Sequence, residues 1–186
     1  MALPLRKPAT YQDIIDLPEN LVGEIIDGEI YAQPRPAPRH ARASSLLGGK
    51  LTGPYDEGLG GPGGWWILDE PELHLGPHVL VPDLAGWRRE RMPKLPDSAW
   101  FELSPDWVCE VLSPGTAAKD RAKKMPRYAE EGVGHAWLID PNARMLEVYR
   151  NVEGRWLLLQ VFEEADEITA PPFDALAFNL SNLWAD

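Results

Sequence analysis

Two acidic residues stand inside apolar runs of the sequence, where a charge needs compensation. Asp83 lies in VLVPDLAGW and Glu110 lies in DWVCEVLSPG. The second run predicts a buried strand, on which Val108, Glu110 and Leu112 share one face because side chains alternate along a strand. Burying an unpaired carboxylate is costly. Glu110 is therefore expected to face either a core-edge Arg or Lys or a bound cation.

The segment that follows this strand supplies basic groups. It is typical of a helix from about Thr116 to Glu131, with Asp120, Lys124 and Tyr128 at four-residue intervals and hence on one side. This spacing favours Asp120 as the residue that holds Lys124 in place. Pro126 should kink or split the helix because it lacks a backbone N–H.

Two carboxylates on neighbouring strands repel each other unless a cation lies between them. Mg²⁺ accepts oxygen ligands and keeps several of its waters. Water held in this way is a better nucleophile, and the cation also neutralises charge on a phosphate. A nearby lysine would orient the water or stabilise the transition state. This combination of residue types predicts a phosphodiesterase.

These residues resemble the PD-(D/E)xK nuclease superfamily, with Asp83 in PD and Glu110 in EVLSP. That pattern has a lysine two residues after the acid, where this chain has Leu112. The fuller resemblance is to the Uma-type restriction endonucleases of bacteria, within the same superfamily. It extends roughly from Thr10 to Arg150 and rests on GEIIDGEI, VPDL, CEVLSPGT, KDRAKKMPRYAEEGVGHAWLIDP and LEVYR.

The resemblance implies a Mg²⁺-dependent endonuclease that hydrolyses DNA phosphodiester bonds, with Mn²⁺ as an alternative cofactor. It implies Asp83, Glu110 and Lys124 as catalytic residues, with the lysine moved from the strand to the next helix. Glu24 matches a supporting acid of the family, although it could also be an ordinary hairpin residue. The metal would be held by Asp83, Glu110 and the backbone carbonyl of Val111.

Several alternatives stay open at this point. Lys119 and Lys123 compete with Lys124 for the site, since all three could belong to a solvated basic helix face. The missing strand lysine at Leu112 and the net charge of −11 also fit a catalytically inactive nuclease-fold scaffold that acts as a binding or assembly module. A small-molecule hydrolase with the same metal site is a third option.

The order of predicted elements indicates an α/β fold. The resemblance specifies a restriction-endonuclease-like mixed central sheet, flanked by helices and extended by β-hairpins, in a single domain over residues 1–186. Thr10 and Asp13 suggest a capping box, and Asp27-Gly28 predicts a hairpin turn. The apolar spacing from Ala43 predicts a helix that ends near Gly48-Gly49.

The charge pattern limits the partners. The chain has 29 acidic residues against 18 Lys and Arg, which opposes a polyanion on average. DNA, the expected substrate, would therefore need local basic patches. Two clusters are candidates for contacts with its backbone: Arg35, Arg39 and Arg42, and then Arg88, Arg89, Arg91 and Lys94.

Other features bear on location and assembly. Cys109 is the single cysteine, so no internal disulfide can form. No apolar run approaches the roughly 18 residues of a membrane span, and the first ten residues do not resemble a signal peptide. We expect a cytoplasmic protein that avoids membranes, and a homodimer, given exposed sheet edges and eight tryptophans. The four scattered histidines do not predict a zinc site.

Overall fold

The structure, a computed structural model, describes residues 7–185. The predicted domain, residues 1–186, therefore includes residues 1–6 and 186, which lie outside the described range. Most of the segment that was compared with a signal peptide also lies outside it. The helices are α1 (Tyr11–Ile15), α2 (Pro38–Leu51), α3 (Ala117–Lys119) and α4 (Met125–Glu130). The strands are β1 (Leu21–Ile26), β2 (Glu29–Pro34), β3 (Trp65–Asp69), β4 (Leu73–Leu75), β5 (His78–Leu80), β6 (Leu84–Arg88), β7 (Trp107–Val111), β8 (His135–Asp140), β9 (Met145–Val152), β10 (Arg155–Glu163), β11 (Glu167–Ile168) and β12 (Phe178–Asn179).

A six-stranded sheet forms the centre, in the order β10-β9-β8-β7-β6-β3. It is mixed, because β7 and β8 run parallel while the other neighbours are antiparallel. A smaller antiparallel sheet has the order β2-β1-β5-β4, and β11 pairs with β12. The predicted mixed sheet with helices and added hairpins is confirmed.

The alternation along β7 divides its side chains between two cores, as predicted. Trp107 and Cys109 belong to the core that packs against α2 and the C-terminal segment. Val108 and Leu112 belong to the core on the other face, which includes residues of α4. Glu110 therefore projects toward the face covered by the helical segment 117–130 and by the smaller sheet.

Two short sequence signals produce the structures that they predict. Thr10 caps α1, and its backbone N donates to Asp13 Oδ2 at 2.6 Å. Asp27 and Gly28 connect β1 to β2 with φ angles of 55° and 75°, which is the left-handed region that a tight hairpin turn needs. This turn fixes the register of β1, the strand that carries Glu24.

The predicted end of the second helix at Gly48-Gly49 is wrong. α2 continues to Leu51 and is followed by a π-helical turn over Thr52–Asp56. A Cβ atom on Gly48 would lie 3.3 Å from Leu84 Cδ2. Glycine here allows the helix to approach β6 closely, and this packing outweighs its low helix propensity.

The helical segment 117–130 is interrupted as Pro126 predicts. α3 and α4 are separated by a π-helical turn over Asp120–Lys124, and Pro126 lies in the first turn of α4. Proline offers no N–H to the preceding turn and its ring crowds it, so the backbone widens to i→i+5 bonding. Among residues 7–185, no helix has the length and apolar character needed to cross a bilayer.

Candidate functional site

The pairing of β6 with β7 sets Asp83 beside Glu110. Leu84 pairs with Cys109, and Asp83 and Glu110 are the next residues in that antiparallel register. Because residues opposite each other in neighbouring strands share a face, both acids project from the same side of the sheet. The backbone N of Val111 donates to Asp83 Oδ2 at 2.7 Å. The two predicted metal ligands thus come together at the end of two adjacent strands.

Glu110 is held at one oxygen. Its Oε1 accepts a hydrogen bond from Tyr128 OH at 2.6 Å and lies 2.8 Å from Lys124 Nζ. Its Oε2 has no hydrogen-bond donor within residues 7–185. Burial raises the pKa of Glu110 well above its usual range, and the neighbouring carboxylates add to this effect while Lys124 opposes it. The fixed side chain keeps one oxygen available.

Lys124 is the buried centre of the cluster, with 1% of its side chain exposed. Its ammonium group lies 2.8 Å from Glu24 Oε1, 2.8 Å from Glu110 Oε1 and 2.9 Å from the carbonyl oxygen of Val81. Burial opposes the charge, but Glu110 and Glu24 outweigh it and raise the pKa of Lys124. All three ammonium hydrogens therefore have acceptors in the protein.

Glu24 extends from β1 into the same cluster and is fully buried. Its Oε1 also accepts the backbone N–H of Val81 at 2.9 Å, and its Oε2 lies 2.5 Å from Lys119 Nζ. Burial would favour the neutral acid, but the charges of Lys124 and Lys119 hold the pKa of Glu24 below its usual value. Glu24 is thus a bridge between two lysines.

The π-helical turn explains which lysines meet Glu24. Residues five apart share a face where bonding is i→i+5, so Lys119 and Lys124 approach the two oxygens of one carboxylate. The expectation that Asp120 holds Lys124 is wrong, because Lys124 forms its ion pairs with Glu24 and Glu110 and has none with Asp120 within 4.0 Å. That expectation assumed regular α-helical spacing.

A cleft of about 690 Å³ opens over this cluster. Asp83, Glu110, Val111 and Asp120 are among its lining residues, and so is Lys119, one of the two competing lysines. Lys124 and Glu24 are not among them and lie behind the wall of the cleft. Lys123 is 43% exposed and lies 3.8 Å from Asp27. The structure thus brings all four predicted catalytic residues together, but in two layers.

His40 is a residue of this site that the sequence analysis missed. It lies near the start of α2, and its Nε2 is 3.2 Å from Asp83 Oδ1. Burial would lower its pKa, but the hydrogen bond and charge of Asp83 outweigh burial and raise it. Its Nδ1 is buried without a hydrogen-bond partner. No spacing in the sequence indicates this contact, since α2 and β6 meet only through tertiary packing.

Within residues 7–185, no three His, Cys, Asp or Glu side chains are arranged as a ready metal site. The donor chemistry nevertheless fits Mg²⁺, which needs only one or two carboxylates and retains waters. Asp83 and Glu110 both reach the cleft, and Oε2 of Glu110 is unoccupied by a donor. The cluster also contains more acidic than basic side chains: Glu24, Asp83, Glu110 and Asp120 against Lys119, Lys124 and His40.

The two predicted basic clusters are placed differently. Arg35 lines the cleft. The second cluster begins at the other end of β6 from Asp83, where Arg89 lies 2.5 Å from Asp56 and Arg91 lies 2.9 Å from Asp106. Arg89 and Arg91 have ion-pair partners within the fold and lie away from the cleft, so Arg35 is the better candidate for contacts near the cleft.

Comparisons with known proteins identify a related family and a related structure. Residues 9–181 match the sequence model of the Uma2 family, described as "Putative restriction endonuclease". The structure is similar to the crystal structure of a putative nuclease belonging to DUF820 from Anabaena variabilis, with 25% identity and a TM-score of 0.77 over 96% of this chain and 98% of that one. No curated protein matches the sequence.

Proposed function

Because the chain belongs to the Uma2 family of restriction-endonuclease-like proteins, we propose that it is a Mg²⁺-dependent endonuclease that hydrolyses DNA phosphodiester bonds. The observation that carries the proposal is the pair Asp83 and Glu110, presented by adjacent strands in one cleft in front of a buried lysine. The fold alone would not support this proposal, because one fold can host many functions and the function has to be argued from the site.

Asp83, Glu110 and the backbone carbonyl of Val111 would hold the metal, with Mn²⁺ as a substitute. Bound there, the ion would make a water more nucleophilic and neutralise charge on the phosphate. The protein's own part is positioning. The amide of Val111 orients Asp83, while Lys124 orients Glu110 and balances its charge.

The lysines divide the work in this proposal. Lys124 stays behind the cleft wall and fixes both glutamates, so its catalytic effect is exerted through Glu110. Lys119 lies on the wall, bound to Glu24 and to Gln33 Oε1 at 2.8 Å, where an ammonium group can face a substrate phosphate. Arg35 at the same cleft would contact the backbone of the nucleic acid.

Two further parts of the proposal concern context. Cleavage of both strands of a duplex is achieved when two copies act together, and we propose a homodimer for that reason. We also propose a cytoplasmic site of action, which the single buried cysteine supports because it can form no internal disulfide.

Plasmid nicking tests this proposal. Wild-type protein with Mg²⁺ or Mn²⁺ should convert supercoiled plasmid to nicked or linear forms, and EDTA should abolish conversion. Asp83→Asn, which keeps the size and an acceptor oxygen, should lose activity by a factor of at least about 100, as expected when an essential charge is removed. Asp97→Asn, on an exposed loop, is the matched control and should retain activity. Full activity of Asp83→Asn would exclude this site.

An inactive scaffold is the alternative, and one observation favours it. Leu112 is buried where the superfamily has its strand lysine, and Lys124 has no hydrogen left to offer a water. Calorimetric titration separates the alternatives. Mg²⁺ or Mn²⁺ binding that Asp83→Asn removes supports the nuclease, whereas no binding and no nicking by wild-type protein support the scaffold.

A further inference from the structure

His40 and Asp83 lie where two clefts of the molecule meet. The cleft over the acidic cluster adjoins a second cleft of about 560 Å³ along α2. The residues that line both clefts are Arg35, Pro36, His40, Glu70 and Asp83. The side chains of His40 and Asp83 are 13% and 16% exposed, so the pair belongs to the open layer of the site and not to the buried layer behind it.

The packing of α2 fixes His40 beside Asp83. His40 is in the first turn of this helix, and Leu47, seven residues later, lies on the same side and is fully buried. In the next turn, Gly48 allows the helix to approach Leu84, the residue that follows Asp83. His40 and Asp83 are therefore carried by two elements in close contact, which keeps the imidazole in place.

Asp83 is contacted at both of its oxygens. Its Oδ2 accepts the backbone N–H of Val111 at 2.7 Å, and its Oδ1 lies 3.2 Å from Nε2 of His40. An ionised carboxylate only accepts hydrogen bonds, so Nε2 carries a hydrogen whether the imidazole is neutral or charged. Each oxygen still has a lone pair for a cation. Two donors thus fix the plane of the carboxylate and leave it able to bind a metal.

Glu110, the other proposed metal ligand, has comparable support from Tyr128 and Lys124 at its Oε1. For Asp83 we propose that His40 is the positioning residue, which sets the orientation of the carboxylate and thereby the affinity of the site for Mg²⁺ or Mn²⁺. His40 is not itself a ligand, because its Nε2 faces Asp83 and its Nδ1 is buried. The inference rests on the proposed function, since it requires Asp83 to bind the metal.

Titration calorimetry with Mn²⁺ tests this role without any nucleic acid. His40→Leu removes the donor and should weaken Mn²⁺ binding by about 10- to 100-fold, as is typical when a hydrogen-bond partner of a metal ligand is lost. His40→Gln places an amide N–H near the position of Nε2 and should restore most of the affinity. Leu46→Ala, also in α2 and packed against the core, is the matched control. It should lower the free energy of unfolding but leave the Mn²⁺ affinity unchanged.

Nuclear magnetic resonance of the histidine rings supplies a readout that needs no metal. Comparison of wild-type and His40→Gln spectra assigns the ¹⁵N signals of the His40 ring. Nε2 should carry a hydrogen, and Asp83→Asn should shift that signal. A ring that carries its hydrogen only on Nδ1 would overturn the inference. Circular dichroism of each variant checks that it is folded.

The outcomes separate this inference from the proposed function. If wild-type protein binds Mn²⁺ and His40→Leu binds it equally well, the positioning role is overturned and the metal site stands. The same conclusion follows if Leu46→Ala loses as much affinity as His40→Leu, or if His40→Gln restores none. Wild-type protein that binds no Mn²⁺ would overturn the proposed function, and the inference with it.

Discussion

Replacing Lys124 with methionine removes the ammonium group between two buried carboxylates. The three side chains involved, those of Lys124, Glu24 and Glu110, are at most 3% exposed. Each ion pair is 2.8 Å long, which corresponds to about 6 kcal/mol of attraction at an effective dielectric constant of about 20. Desolvation of the ions offsets most of this attraction in the intact cluster.

The variant loses the attraction but keeps the burial of both acids. Leaving a buried charge without its partner costs about 3–5 kcal/mol, and we expect the free energy of unfolding of Lys124→Met to fall by that amount. Methionine keeps most of the length of the side chain, so lost packing contributes little. Glu110 should take up a proton in the variant, because its pKa is already raised by burial.

Urea denaturation at neutral pH, followed by tryptophan fluorescence, measures this loss. Lys123→Met is the matched control, since the Lys123 side chain is 43% exposed and its ammonium group lies 3.8 Å from Asp27. We expect a change of about 0–1 kcal/mol there. Adding Glu110→Gln to Lys124→Met should recover part of the stability, because glutamine fills the same position without having to take up a proton at neutral pH. A loss below about 1 kcal/mol for Lys124→Met would refute the buried-cluster argument.

Three further perturbations test other parts of the molecule. Tyr128→Phe removes the hydrogen bond to Glu110 and should cost about 1.5–3 kcal/mol in urea denaturation, and an unchanged midpoint would contradict the 2.6 Å contact. Burial, aided by nearby arginines, lowers the pKa of His135 in the folded state. The unfolded chain then binds more protons as pH falls below about 6.5, so stability should drop there. His135→Gln should lose less stability than wild type between neutral and mildly acidic pH, and equal losses would exclude this contribution. Gly28→Ala places a side chain at a φ of 75° and should lower the free energy of unfolding by about 1–2 kcal/mol, as measured by urea denaturation. Gly49→Ala, inside α2 with open space around its Cβ, should leave that free energy unchanged or raise it.

Local signals in the sequence predicted much of the fold because they act over a few residues. The Thr10–Asp13 cap, the Asp27-Gly28 turn and the two-faced strand around Glu110 each depend on short-range geometry. The helix through Gly48 was mispredicted because the reason for that glycine is its contact with Leu84. Only tertiary packing supplies that information.

The candidate site divides in the same way. The combination of Asp83 and Glu110 could be predicted because both acids interrupt apolar runs, and Lys124 because of family resemblance. The contact of His40 with Asp83 could not, since it joins α2 to β6 across 43 positions of the sequence without any periodic signal. The sequence therefore predicts that two acids lie close together where each of them interrupts an apolar run, but it carries no signal for contacts between distant elements.

The π-helical turn shows how one backbone irregularity determines the electrostatics of the whole cluster. With regular α-helical spacing, Lys124 would lie on the face of Asp120, and Lys119 would point elsewhere. The i→i+5 turn instead places Lys119 and Lys124 on the two oxygens of Glu24. Lys124 then links Glu24, on β1 of the smaller sheet, to Glu110 on β7 of the central sheet. The turn precedes Pro126, so a residue with no polar side chain sets which charges meet. The two lysines can then serve different layers of the site, one fixing the acids and the other facing the cleft.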